Sequence, residues 1–231
     1  MRINIVTIFP DYFAPLGLSI PGKAAEAGLV EFRVVDLRDF AHDRHRTVDD
    51  YPFGGGAGMV MKAEPFFEAV EHLDPAGPVV LLSARGRPFR HADAVRFAVQ
   101  PELTLLCGHY KDVDQRVAEH LATEEVSLGD FILSGGEPGA LAVADAVTRL
   151  LPGAMGRHEA ASSDSFYDAE LLSPPSYTRP ADVRGHAVPE VLLSGDHARI
   201  EAWRRAEAER LTRERRPDLW QTHEEASQGE G

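Results

Sequence analysis

The sequence predicts an α/β fold with a mainly parallel sheet flanked by helices. Three observations lead there. Between residues 3 and 151, β-rich apolar runs and helix-periodic runs take turns, the pattern of crossover connections rather than hairpins. The alternation stops after Pro152, where a segment rich in Gly, Ser, Pro and Ala takes over. The length, 231 residues, suits one large domain and a smaller one.

INIVTIF (3–9) alternates and is rich in β-branched residues, so it reads as the first strand. GKAAEAGL (22–29) reads as a short helix ending near Gly28, and VEFRVVDL (30–37) as the second strand. There follow a helix at 64–73 (EPFFEAVEHL), a strand at 78–83 (PVVLLS), a helix at 91–99 (HADAVRFAV) and a strand at 103–108 (LTLLCG). A helix at 112–122 (DVDQRVAEHLA), a strand at 124–133 (EEVSLGDFIL) and a helix at 140–151 (ALAVADAVTRLL) complete the series. Residues 153–190 have little periodicity and read as a long linker. From Gly195 the chain is helical again, with Asp196 as N-cap and Ile200, Trp203, Ala206 and Leu211 near helical spacing. The tail after Trp220 reads as disordered.

A formal charge of -13 argues against a protein that coats DNA or RNA nonspecifically, but leaves room for a local basic surface. No apolar run approaches the ~20 residues that span a bilayer, and MRINIVTIFP is too short and too alternating for a signal peptide. A cytoplasmic protein with no membrane partner is expected. The single cysteine, Cys107, excludes an internal disulfide framework and a Cys-rich zinc site, and LTLLCG reads as the setting of a buried neutral thiol. Seven arginines (Arg199, Arg204, Arg205, Arg210, Arg213, Arg215, Arg216) lie in or just after the last helix. The interleaved Glu201, Glu207, Glu209 and Glu214 leave two readings open: helical ion pairs or contact with nucleic acid.

Parallel sheets bind ligands beyond the carboxyl ends of their strands. Three expected strand ends carry unusual residues: Ser83-Ala84-Arg85-Gly86, Gly108-His109-Tyr110, and the stretch from Gly129 to Gly139. YPFGGGAGMVMK (51–62) is neither a dinucleotide fingerprint nor a phosphate loop; it is either a backbone that approaches a flat ligand closely or an ordinary turn. DRHRTVDD (43–50) has no standard metal-ligand spacing. Asp164 in SSDSF has the setting of a turn or N-cap residue, and Arg149 that of a cation at a helix C-terminus.

The combination is more specific than its parts. DRHRTVDDYPFGGGAGMVMK, LLSARGRPF, CGHYKDVDQRV, SLGDFILSGGEPGALAVADAVTRLLPG, DSF, YTRP and VPEVLLSGDHARIEAWRR resemble, in this order, the motifs of bacterial tRNA (guanine-N1)-methyltransferases, the TrmD family of the SPOUT class. The resemblance runs from Arg2 to about Leu219. It implies S-adenosyl-L-methionine as cofactor, methylation of guanine 37 beside the anticodon of tRNA, a homodimer, and a deep trefoil knot in the carboxyl half of the sheet. The implied domains are a SPOUT catalytic domain at 1–158, a linker at 159–180 and a small helical tRNA-binding domain at 181–231.

The resemblance also implies residue roles. Cofactor-binding positions match Leu81, Leu82 and Ser83, Gly108 and Tyr110, and Ser127, Leu128, Gly129, Asp130, Phe131, Ile132, Leu133, Gly135 and Gly136. A base matches Asp164, and an arginine that stabilises charge on the guanine O6 matches Arg149. The family draws the aspartate and the cofactor from different subunits. The basic C-terminal helices are expected on the anticodon stem-loop, with the guanine at position 36 part of recognition. Gly139 has no implied task and reads as a local turn residue.

CGHYKDVDQRV departs from the family pattern, which has Arg at His109, Glu-Gly at Lys111-Asp112 and Glu at Gln115. The charge reversal at Lys111 removes a carboxylate, so magnesium, which the resemblance suggests, is carried as an open expectation only. Two other readings share these features: a SPOUT methyltransferase with a different RNA acceptor, and a noncatalytic RNA-binding dimer.

Overall fold

The computed structural model describes residues 1–155, 164–166 and 171–229. They fall into two compact units, Met1–Gly156 and Arg157–Gly231.

In the first unit, β1 (Arg2–Thr7), β2 (Glu31–Asp36), β5 (Val79–Pro88), β6 (Glu102–Cys107) and β8 (Glu124–Ser127) form one sheet in the order β2-β1-β6-β5-β8. Every pairing in it is parallel. Helices α1 (Ser19–Glu26), α2 (Ala63–Leu73), α3 (His91–Ala98), α4 (Gln115–His120) and α5 (Glu137–Thr148) make the crossovers. Period-two alternation sorts the strand side chains to the two faces. Ile3, Ile5, Val80, Leu82, Leu103, Leu105 and Val126 pack with Ala24, Phe97, Val143 and Val147 on one side. Val6, Val79, Leu81 and Leu106 pack with Phe66, Val70, Leu73 and Val117 on the other. Helices on both faces are what the sequence pattern predicts.

Two local expectations are corrected, and two elements were not foreseen. The strand expected at 124–133 ends at Ser127: the Gly129 amide turns back onto the Ser127 hydroxyl at 3.2 Å, and Gly129 takes φ +149. The helix expected at 112–122 is split, because Asp112–Val113 pair as a short strand β7 and Asp114 caps α4 by accepting from the Arg116 N–H. Strand β7 closes a small three-stranded sheet with β3 (Asp49–Asp50) and β4 (Val60–Met61), too short for periodicity to reveal. A 3-10 helix at Pro10–Gly17, absent from the sequence reading, precedes α1.

In the second unit, β9 (Asp182–Val183) and β10 (His186–Ala187) form a hairpin. Three helices follow: α6 (Glu190–Leu193), α7 (His197–Arg215) and α8 (Pro217–Gly229). Asp196 caps α7, its carboxylate accepting from the Arg199 N–H at 3.2 Å. Ala208 and Thr212 are the buried residues of α7, whereas Ala206 is exposed. Thr212 is buried because its hydroxyl accepts from the Leu172 N–H and donates to the Ala208 carbonyl. Helix α8 continues past Trp220, where the sequence reading placed disorder. Of the expected linker, residues 159–163 and 167–170 lie outside the described residues. No described helix is long and apolar enough to cross a membrane.

Candidate active site

Three adjacent strands, β6, β5 and β8, end side by side, and each releases a loop. Strand β5 runs alongside β8 through Leu82, which pairs with Val126, then leaves and returns with Arg87 opposite the same Val126. The excursion is Ser83–Gly86. Gly86 lies flat on β8: a Cβ there would sit 2.4 Å from the Val126 nitrogen. Arg87 fastens the return by pairing with Glu124 of β8 and Asp93 of α3. The second loop follows Cys107, and the third runs from Leu128 to Gly136. The third loop reaches back over β5 to β6, where the Gly136 N–H donates to the Gly108 carbonyl at 2.8 Å and Gly135 bridges to His109.

The loops enclose a cavity of about 200 Å³. Leu81, Leu82, Ser83, Gly108, Tyr110, Ser127, Leu128, Gly129, Phe131, Ile132, Leu133, Gly135 and Gly136 all line it; Asp130 does not. The lining also includes Arg85, His109, Lys111, Asp112 and Gly139, which the sequence reading left without a task. Gly139 is therefore more than a turn residue. A Cβ there would lie 3.2 Å from Leu82 Cδ1 and 3.7 Å from Leu128 Cδ1, so its bare backbone belongs to the cavity wall.

Glycine is also demanded at 135 and 136. A side chain at 136 would meet the Cys107 Cα at 2.9 Å and the Gly108 nitrogen at 3.1 Å, both backbone atoms with no room to yield. At 135 it would enter the gap between His109 and Glu137.

Beneath that gap lies a buried polar chain. The Glu137 carboxylate, on the first turn of α5 where a negative charge is favoured, accepts from the Thr7 hydroxyl at 2.9 Å. Its other oxygen stands 3.7 Å from His109 Nδ1, which is buried with no hydrogen-bond partner among the described residues. Phe9 and Tyr110 hold the His109 ring edge-on, with centroids 5.0 and 5.1 Å away. Cys107 is fully buried; burial, and then the nearby Glu137 charge, push its thiol pKa well up, as expected of an inert thiol. At the rim, Arg85 and Asp112 form a two-point pair at 2.9 and 3.1 Å.

Neither of the two residues expected at the acceptor base is among those lining the cavity. Arg149 is the C-cap of α5, at the opposite end of the helix from Glu137, and does not line the cavity. Asp164 lies in the second unit, in the described stretch 164–166. In α7, Arg204 pairs with Glu201, Arg205 with Glu209, and Arg210 with both Glu207 and Glu214. Arg216 pairs with Asp218, and Arg213 covers the Trp220 ring at 4.4 Å. Helical ion pairing thus occupies much of the arginine cluster. Among the described residues no three His, Cys, Asp or Glu side chains converge as a metal site.

Comparison with known proteins identifies the family. The profile described as "tRNA (Guanine-1)-methyltransferase TrmD" matches residues 1–222. The chain belongs to the TrmD family. It is similar to the tRNA (guanine-N(1)-)-methyltransferase of Gloeobacter violaceus, 54% identical over 223 residues, covering 95% of this chain and 98% of the relative. The enzyme of that name from Mesorhizobium japonicum is 50% identical over 226 residues, covering 96% and 97%. That from Geobacillus kaustophilus is 49% identical over 223 residues, covering 95% and 91%. The cavity-lining glycines and the departures at His109 and Lys111 thus belong to a TrmD chain matched along almost its full length.

Proposed function

We propose that this chain transfers the methyl group of S-adenosyl-L-methionine to N1 of guanine 37 in tRNA, acting as a cytoplasmic homodimer. The observation that carries the reading is the convergence of three strand-end loops on one cavity in a chain of the TrmD family. Relatives that share about half of its residues over nearly its whole length are named as tRNA guanine-N1 methyltransferases.

The cavity suits an adenosine. Apolar walls at Leu82, Leu128, Ile132 and Leu133 accept a flat ring, and the main-chain groups of three loops provide donors and acceptors to read its edge. Gly135 and Gly136 let the third loop lie directly on His109 and on the Cys107–Gly108 backbone, which brings its main chain to the cavity wall. Bound S-adenosyl-L-methionine supplies a methyl group on a sulfonium centre, a donor that needs little further activation.

The acceptor is the harder half. N1 of guanine carries a proton, and its lone pair becomes a good nucleophile only as that proton leaves. Asp164 takes the proton, and Arg149 faces the negative charge that grows on O6. A carboxylate is a weak base for so weak an acid, so the charge stabilisation by Arg149 carries much of the rate.

A second copy completes the site in this reading. Arg149 comes ten residues after Gly139, the α5 residue in the cavity wall, which at 1.5 Å per residue puts it about 15 Å along the helix from the cavity. A separation of that size supports an acceptor site assembled from two subunits. The trefoil knot of the SPOUT class is supported by the third loop, which crosses β5 to fasten on Gly108, and by bare glycines at 86 and 136 where chains touch. The C-terminal helices take the anticodon stem-loop. No step is assigned to magnesium.

The test is product analysis. With methyl-labelled donor and unmodified tRNA, label is expected in 1-methylguanosine after digestion to nucleosides; label in a different nucleoside would overturn the reading.

A further inference from the structure

Among the basic residues that line the cavity, Lys111 is the one that faces no carboxylate among the described residues. Its N–H donates to the Met59 carbonyl at 3.0 Å, which brings the side chain alongside the glycine-rich turn. A Cβ at Gly58 would lie 3.3 Å from Lys111 Cβ, and one at Gly56 would lie 3.3 Å from Nζ. The lysine stem therefore runs along bare backbone, and its ammonium ends beside Gly56. Among the described residues, the N–H groups of Gly56, Ala57 and Gly58 donate to no acceptor in the chain.

Three cationic or basic residues line the cavity. Arg85 is held by Asp112 at 2.9 Å and His109 stands 3.7 Å from Glu137. Lys111 is exposed and has no carboxylate within ion-pair distance among the described residues. An uncommitted ammonium beside unpaired main-chain N–H groups is the chemistry of an anion site.

Resting on the methyltransferase reading, we propose that Lys111 and the amides of residues 56–58 hold a phosphate of the RNA next to the base being methylated. The surroundings favour a nucleotide phosphate over the carboxylate of the methyl donor. Tyr51 and Phe53, 79% and 101% exposed, stand at the start of the same turn, and exposed rings beside a cation suit the bases of single-stranded RNA. In a chain with a net charge of -13, local cations of this kind are what attract a polyanion.

The experiment uses the full chain with Lys111→Gln and Lys111→Arg, reading tRNA affinity by fluorescence anisotropy between 50 and 200 mM salt. Wild type and Lys111→Arg should share one slope of log affinity against log salt, while Lys111→Gln should be shallower by about 0.7 to 0.9, the loss of one phosphate contact. Donor affinity by calorimetry should be the same in all three. An unchanged slope in Lys111→Gln would overturn the proposal, and so would a loss of donor affinity, which would move the anion to the donor's carboxylate. Lys111→Met, with an apolar stem of similar length, replaces Lys111→Gln if the latter lowers the thermal midpoint. Since the slope is read from binding alone, absence of methyl transfer with the expected slopes would count against the methyltransferase reading and leave the phosphate site standing.

Discussion

Gly135 pairs with His109 across an isolated antiparallel bridge, so close that a Cβ at 135 would fall 2.3 Å from His109 Nδ1. The same Cβ would fall 2.2 Å from Glu137 Oε2, so residue 135 sits over the gap between imidazole and carboxylate. Neither neighbour is a loose surface chain, since Glu137 is buried and His109 is wedged between two rings.

Gly135→Ala should therefore push His109 or the third loop into the cavity. Overpacking of this kind costs about 1–3 kcal/mol, and S-adenosyl-L-methionine affinity should fall by at least about tenfold, read by calorimetry. Gly139→Ala meets only the side-chain ends of Leu82 and Leu128, none nearer than 3.2 Å, and should cost less. Equal affinity in Gly135→Ala and wild type would contradict this geometry.

Thr7→Val tests the buried polar chain. It keeps the side-chain shape but removes the hydroxyl that donates to Glu137 at 2.9 Å and accepts from the Phe9 N–H. A buried carboxylate losing its donor costs about 1.5–3 kcal/mol. Urea unfolding should show that loss; a variant as stable as wild type would mean that Glu137 draws its stability from elsewhere.

Asp93 ties acid stability to the return of β5. Burial alone would raise its pKa, but hydrogen bonds from Arg87, from the Arg90 N–H and from Arg96 hold the carboxyl below the ordinary range. A carboxylate depressed in the fold adds stability that is present above its unfolded value, near 3.8, and is lost as pH falls through the folded value. Asp93→Asn should lower the urea midpoint at neutral pH and flatten its decline below about pH 4. An acid limb as steep as that of wild type would show that other carboxylates control it.

Much of this architecture was legible in the sequence, and the failures have physical causes. Runs such as PVVLLS and LTLLCG declare buried strands because both faces are covered, and the residues at their ends line the cavity. SLGDFIL reads as a strand by composition, yet leaves the sheet after Ser127: Phe131, Ile132 and Leu133 are exposed because they wall a cavity rather than fill a core. Val60–Met61 and Asp112–Val113 are too short to announce a sheet. The tasks of Gly139 and Lys111 depend on what lies across from them, Leu82 in one case and Gly56–Gly58 in the other, and no local pattern encodes that.

The proposed two-subunit site makes its own prediction. Asp164→Asn should bind donor normally and lose about 10²–10⁴-fold in kcat. Mixed with a cavity variant such as Gly136→Val under conditions of subunit exchange, it should recover about one quarter of wild-type activity, because half of the symmetric dimers then carry one complete site of two. No recovery despite demonstrated exchange would place base and cavity in the same chain.

Paired tRNA transcripts that differ only at position 37 test the central claim most directly. Given methyl-labelled donor, the protein should convert the G37 transcript to one 1-methylguanosine per molecule and leave the A37 transcript unlabelled. Equal labelling of both transcripts, or a G37 product other than 1-methylguanosine, would contradict it.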